Sequence, residues 1–267
     1  GATLAVSGSN YQINVAGGWT DSGTGTFTES TGTVVFDGTG TVNSNEAFYN
    51  VEIASGTVTL GANLQMDGAF TSSGGTLALA SYNVADAAGG ATATLSNIAG
   101  TIQLQGVSTE TVFWTTNDTD SGTWTYIGRN IAENLTITAF TGADYYHLTI
   151  NDTNTNQATF ILGAALDVEG LLTISAGTLD VTATLYQINV AGGWTDTGAG
   201  AFTERTGTVV FDGTGTINSN EAFYNVTISA GTLTLGAALD VDGLLTISNG
   251  ATLAVSGSNY QINVAGG

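Results

Sequence analysis

The stretch GATLAVSGSNYQINVAGG stands at residues 1–18 and again, letter for letter, at 250–267. TGTVVFDGTGTVNSNEAFYNV at 31–51 returns at 206–226 with one change, Val42 to Ile217. GANLQMDGAFT at 61–71 corresponds to GAALDVEGLLT at 163–173 and GAALDVDGLLT at 236–246, and YQINVAGGWTD occurs at 11–21 and 186–196. A chain that repeats itself at this scale cannot give each segment a unique environment. It must return the same words to equivalent places, which is the property of a repeat architecture.

The repeats divide the chain into units at 1–73, 74–175 and 176–249, with 250–267 opening the next superperiod. The middle unit is the longest and carries material around 105–145 without a counterpart. Residues 1–249 then read as one period of a longer polymer, with no cap at either end. Axial stacking leaves both ends with open strand edges.

Within a unit the texture is short runs such as TLTL, LDV and LLTI, separated by Gly, Asn, Ser or Asp. Alternation of Thr or Asp with Leu, Val or Ile is the period of a strand, and no segment keeps apolar residues at helical spacing. The fold class expected is all-β: a right-handed parallel β-helix, or β-solenoid, of about ten coils of roughly 25 residues, each with three strands. One coil cannot bury its inward aliphatics, but coils stacked at about 4.8 Å share a continuous core. An immunoglobulin-like array is the rival, but its domains run to about 100 residues and the shorter units do not reach that length.

Composition narrows the partners. There are 22 acidic residues against Arg129 and Arg205, no lysine, and a net charge of −20. Nucleic acid and anionic lipid both need clustered basic residues, so neither is an expected partner. The absence of cysteine excludes disulfides and thiolate metal sites. No apolar run is long enough to span a bilayer as a helix. No signal-peptide pattern occurs in these residues, so secretion requires a leader that lies upstream or has been removed.

The succession from GTVVFDGTG through FYNVTISAGTLTLGAALDVDGLLTISNGATLAV to SGSNYQINVAGGW resembles the repeats of very large secreted bacterial β-helix proteins. Filamentous-haemagglutinin-like adhesins and autotransporter passengers are similar in texture. The likeness covers nearly the whole chain apart from parts of 105–145. It implies a right-handed parallel β-helix, extracellular or at the cell surface, and carries over no catalytic residue.

The chemistry-bearing residues read mainly as structure. Asp37, Asp212, Asp67, Asp242 and Glu169 each precede a glycine at equivalent repeat positions, where a polar side chain caps a turn. An opposed carboxylate pair for polysaccharide cleavage would occur once, not at every repeat, so no catalytic site and no enzyme activity are expected. Acidic turns leave scattered Ca²⁺ open, without a calcium-roll or EF-hand motif, and no dedicated metal or cofactor site is expected. His147 aligns with Asn225 and is expected to replace an asparagine in a coil. Trp19 and Trp194 follow AGG and are expected to cover a turn.

Trp114 and Trp124 flank the polar run TTNDTDSGT and are candidates for contact with glycans or a partner. Asn117, Asn134, Asn151 and Asn225 begin glycosylation sequons. The function expected is a structural segment of an extracellular filament or giant surface adhesin that associates with copies of itself head to tail. Surface glycans are a further candidate partner. A glycan-binding or polysaccharide-degrading β-helix is the alternative. An ice-binding solenoid would need a flat face of regular Thr-x-Thr, and the Thr-x-Thr words do not recur at constant spacing.

Overall fold

A computed structural model describes residues 1–6, 11–21, 23–87, 95–96, 99–255 and 257–266. Among these the secondary structure is strand and turn without helix, and the strands pair in parallel throughout. The chain is a β-solenoid of about eleven turns, distributed over two compact units, Gly1–Trp124 and Thr125–Gly267.

In the first unit each coil visits three faces. The first face stacks Gln12–Val15, Thr33–Phe36, Asn50–Ile53, Phe70–Ser72 and Leu95–Ser96. The second includes Trp19–Thr20, Gly40–Asn43, Thr57–Leu60, Thr76–Ala78 and Thr101–Leu104. The third is thinner, holding Thr3–Ala5 on Thr26–Thr28 and Leu64–Met66 on Val84–Asp86, with single bridges at Phe48 and Val112. Strand alternation turns the apolar residues inward. Thr57–Leu60 buries Val58 and Leu60 and leaves both threonines half-exposed.

Coil length varies more than the repeat units imply. The circuit that brings Val34 to its partner Val51 is much shorter than the one that brings Phe70 to Leu95. The coil length expected from the sequence is reached only by the longer circuits. The shorter ones reduce one face to a single bridging residue, as at Phe48, and keep the corners tight.

The second unit repeats the plan and shows how the faces are related. Its first face is Leu166–Val168, Ile188–Val190, Thr208–Phe211, Asn225–Ile228 and Leu245–Ile247. LDVEGLLTI at 166–174 places LDV on this face and LLTI on the second, beside 193–196. LDVDGLLTI at 239–247 lies within the near-identical repeat, yet its LDV pairs with Ile262–Val264 and its LTI lies on the first face, on Asn225–Ile228. YQINV moves with it: Ile188 lies on the first face, Ile262 on the sheet that holds Leu239. The same words thus occupy different faces, because each face offers the same parallel neighbours and the same apolar interior. Residue count around the coil sets which face a word reaches.

The core is aliphatic with aromatic clusters, one of which recurs in both units. Trp19 meets Phe27 and Phe48 edge-on at centroid distances of 4.9 and 5.3 Å, and Trp194 meets Phe202 and Phe223 at 4.8 and 5.2 Å. Such edge-to-face pairs add to area burial. Phe223 is 1% exposed and touches three rings, Trp194, Phe202 and Phe211. Phe223→Ala is expected to destabilise the second unit by about 3–5 kcal/mol, read as a lower denaturation midpoint with unchanged strand content by circular dichroism.

Candidate functional site

The unmatched segment around 105–145 is where the sequence points to a site, and it packs as core. Trp114 is 5% exposed and lies against Phe70 at 5.3 Å, and Trp124 is 1% exposed. Neither presents an indole face to a sugar or partner, which corrects the reading of both as contact residues. For Trp124 the reason is alternation. Thr123–Tyr126 buries its second and fourth residues, as Thr57–Leu60 does. Trp194 is likewise 0% exposed, so it fills the core and does not cover a turn, while Trp19 is half-buried.

Where the coil departs from the short circuit, a buried carboxylate or tyrosine receives the backbone N–H groups that lose their axial partner. Glu110 accepts from Ser81 N at 2.8 Å and Gly106 N at 2.7 Å. Burial raises its pKa and these N–H donors pull it back. Asp144 accepts from Phe140 N and Asp167 N at 2.6 and 2.9 Å, and burial raises it too. Asp152 accepts from Ala158 N at 2.7 Å and Asn154 N at 3.0 Å. The Tyr126 hydroxyl accepts from Thr138 N at 2.9 Å and lies 3.1 Å from that of Tyr145, which donates to the Thr138 carbonyl at 2.5 Å. Sequence reasoning missed this set. Its one visible signal is acids that do not precede glycine.

The acid–glycine pairs lie at corners, held there by the backbone. Asp37, Asp67, Glu169, Asp212 and Asp242 each donate a backbone N–H to the preceding coil. The glycines that follow three of them make room for a side chain of the neighbouring coil. A Cβ on Gly68, Gly170 or Gly243 would lie 2.5, 2.6 or 2.6 Å from Asn50 Oδ1, His147 Nδ1 or Asn225 Oδ1. Those atoms accept N–H bonds from Ala69, Leu171 and Leu244 at 2.9, 2.8 and 3.0 Å. His147 therefore does replace an asparagine, and it makes the same bond.

Among the described residues no group of three or more His, Asp or Glu is placed to hold a metal ion. Of the sequon asparagines, Asn134 is exposed, while Asn117, Asn151 and Asn225 are half-buried. The Asn225 amide is occupied between coils. The two arginines form ion pairs, Arg129 with Glu133 at 2.6 Å and Arg205 with Asp180 at 2.7 Å. Arg205 lowers the Asp180 pKa. In the other unit the same positions hold Ser30 and Ala5, so the pair is present or absent as a whole.

One buried carboxylate departs from the rule. Asp196 is 4% exposed, and its Oδ2 has no hydrogen-bond partner among the described residues. Burial, with the Glu221 charge adding to it, pushes its pKa up to about 6.

No protein-family model matches the chain, and comparison with curated proteins and with solved structures finds no match.

Two pH effects of opposite sign follow. The folded pKa of His147 lies below its usual 6.5 because of burial, so folding favours the neutral ring. Its contribution is complete above about pH 6.5 and is lost as pH falls from there toward the folded value. His147→Asn should keep the Leu171 bond and remove this loss, measured as denaturation midpoints between pH 4 and 7.5. His147→Ala should destabilise by about 1–2 kcal/mol. For Asp196 the folded pKa is raised from 3.8 to about 6, so its protonated form adds stability that is complete below 3.8 and lost as pH rises through 6. Asp196→Asn should raise stability at pH 7 and flatten the profile across that window. A variant less stable than the parent at pH 7 refutes this reading.

Proposed function

We propose that the chain is a structural repeat segment of an extracellular filament or giant cell-surface adhesin, without catalytic activity, whose stacked coils form a stiff rod that resists proteases. The observation that carries this reading is the interchangeability of sequence words among faces. A scaffold of equivalent sides extends by adding coils. The acids that recur at the corners serve backbone geometry, as do the buried acids of the middle segment.

Self-association is part of the reading. A parallel ladder accepts a further strand in register, so copies joining head to tail would continue both the ladder and the core.

Trypsin supplies a direct test, because Arg129 and Arg205 are its only targets. Arg205 lies in a tight turn at φ 49° and holds Asp180 with two nitrogens. The folded chain should survive trypsin at concentrations that cleave a denatured control within minutes, with any nick confined to Arg129. Negative-stain electron microscopy at rising protein concentration should show thin filaments. Rapid cleavage at both arginines, or particles that stay monomeric at every concentration, would refute the rod.

A further inference from the structure

The variable coil length that hides any Thr-x-Thr rhythm in the sequence does not disturb it in space. In the first unit Thr57, Thr76 and Thr101 are direct register partners, one per coil. Thr123 joins them through its N–H to the Gly100 carbonyl at 3.0 Å. A second rank beside it pairs Thr41 with Thr59, and continues through Ala78 to Gln103. In the second unit Thr149, Thr173 and Thr195 form one rank, Thr216 and Thr234 another, and Thr232 with Thr252 a third. All lie on the second face, pointing away from the core.

This face is chemically distinct from the other two. The chain has 22 acidic residues, yet none stands at an outward position of the second-face strands described in either unit. The first face carries Glu52 and Asp167 outward, and the third carries Asp240. The second-face strands also turn no Trp, Tyr or Phe outward. The hydroxyls of Thr41, Thr59, Thr76 and Thr101 bond to no group among the described residues. Most of these threonines are half-exposed, as members of a flat rank with neighbours above and below must be.

We propose that the threonine face of each unit binds ice. Parallel stacking sets a repeat of about 4.8 Å along the ladder, and alternation sets about 6.7 Å between outward residues of one strand. These two spacings lie close to in-plane repeats of hexagonal ice. β-Branched side chains are stiff at χ1, so each rank holds methyl and hydroxyl groups in a fixed array able to order water in that pattern. Ice excludes ions, so an ice-binding surface must be free of charge, and this is the face from which an acidic chain has withheld its carboxylates. A glycan site would place large aromatic side chains on the surface for stacking against sugars, and this face has none. The inference is independent of filament formation.

The test is thermal hysteresis and partitioning into a growing ice hemisphere with the full chain. The parent should shape ice crystals and enter the ice. The variant Thr59→Lys with Thr76→Lys, which puts bulk and charge at the centre of the array, should lose most of the hysteresis at equal concentration. Gln65→Lys, on the third face, should leave it unchanged. Thr59→Val with Thr76→Val keeps shape and strand propensity, so its partial loss would be read without concern for folding. A parent that neither shapes ice nor enters it overturns the proposal. So does loss in Gln65→Lys with retention in the threonine variants, or binding by the parent to crystalline chitin or cellulose through the same threonines with no effect on ice.

Discussion

The parallel backbone ladder between coils is the constraint on which everything else in this chain depends. A strand in this fold has no partner within its own coil, so each N–H and C=O must find one in the coil before or after. The separation between coils is then set by the hydrogen bond, whatever the side chains are. Inward side chains of neighbouring coils contact each other because the ladder holds them there. The aromatic clusters show the result: Trp194 meets Phe223 of the next coil at 5.2 Å, and Trp19 meets Phe48 of the next coil at 5.3 Å, nearly the same spacing in both units. The ladder also explains the corner glycines. Where a coil turns, an asparagine or His147 reaches along the axis to collect the next N–H, and only a residue without Cβ leaves it space.

Because the ladder asks only for a parallel neighbour, the three faces are near-equivalent, and one word can serve on any of them. That freedom has a consequence for surface chemistry. An outward residue belongs to a face only through the number of residues that precede it around the solenoid. The threonine ranks are therefore maintained jointly by residue type and by coil count, through circuits as short as that from Val34 to Val51 and as long as that from Phe70 to Leu95.

The strands, their direction and the shared core were legible in the sequence, because alternation in TVTL or LLTI states which side is buried. TWTY follows the same alternation, which puts Trp124 inside, although the polar run beside it points outward. Coil length was not legible. A repeat unit reports the sum of its circuits, and a short circuit followed by a longer one reads as an average. The faces were not legible either, since LDV carries no mark of which side it occupies. The buried acids lay outside reach for a different reason: Glu110 and Asp144 are defined by backbone N–H groups distant in sequence, Ser81 and Asp167.

The buried acids divide by what the ladder needs. Glu110, Asp144 and Asp152 stand where backbone donors have lost their axial partner, and each receives at least two of them. Burial raises the pKa of Glu110 and of Asp144, and the N–H groups that each receives pull it back. Asp196 sits in a strand whose backbone is already paired, with Ile174 on one side and the coil of Asn218 next to Thr195 on the other. Its Oδ2 has no hydrogen-bond partner among the described residues, and Glu221 adds like charge nearby. An acid in that position relieves no backbone defect, and burial pushes its pKa up to about 6.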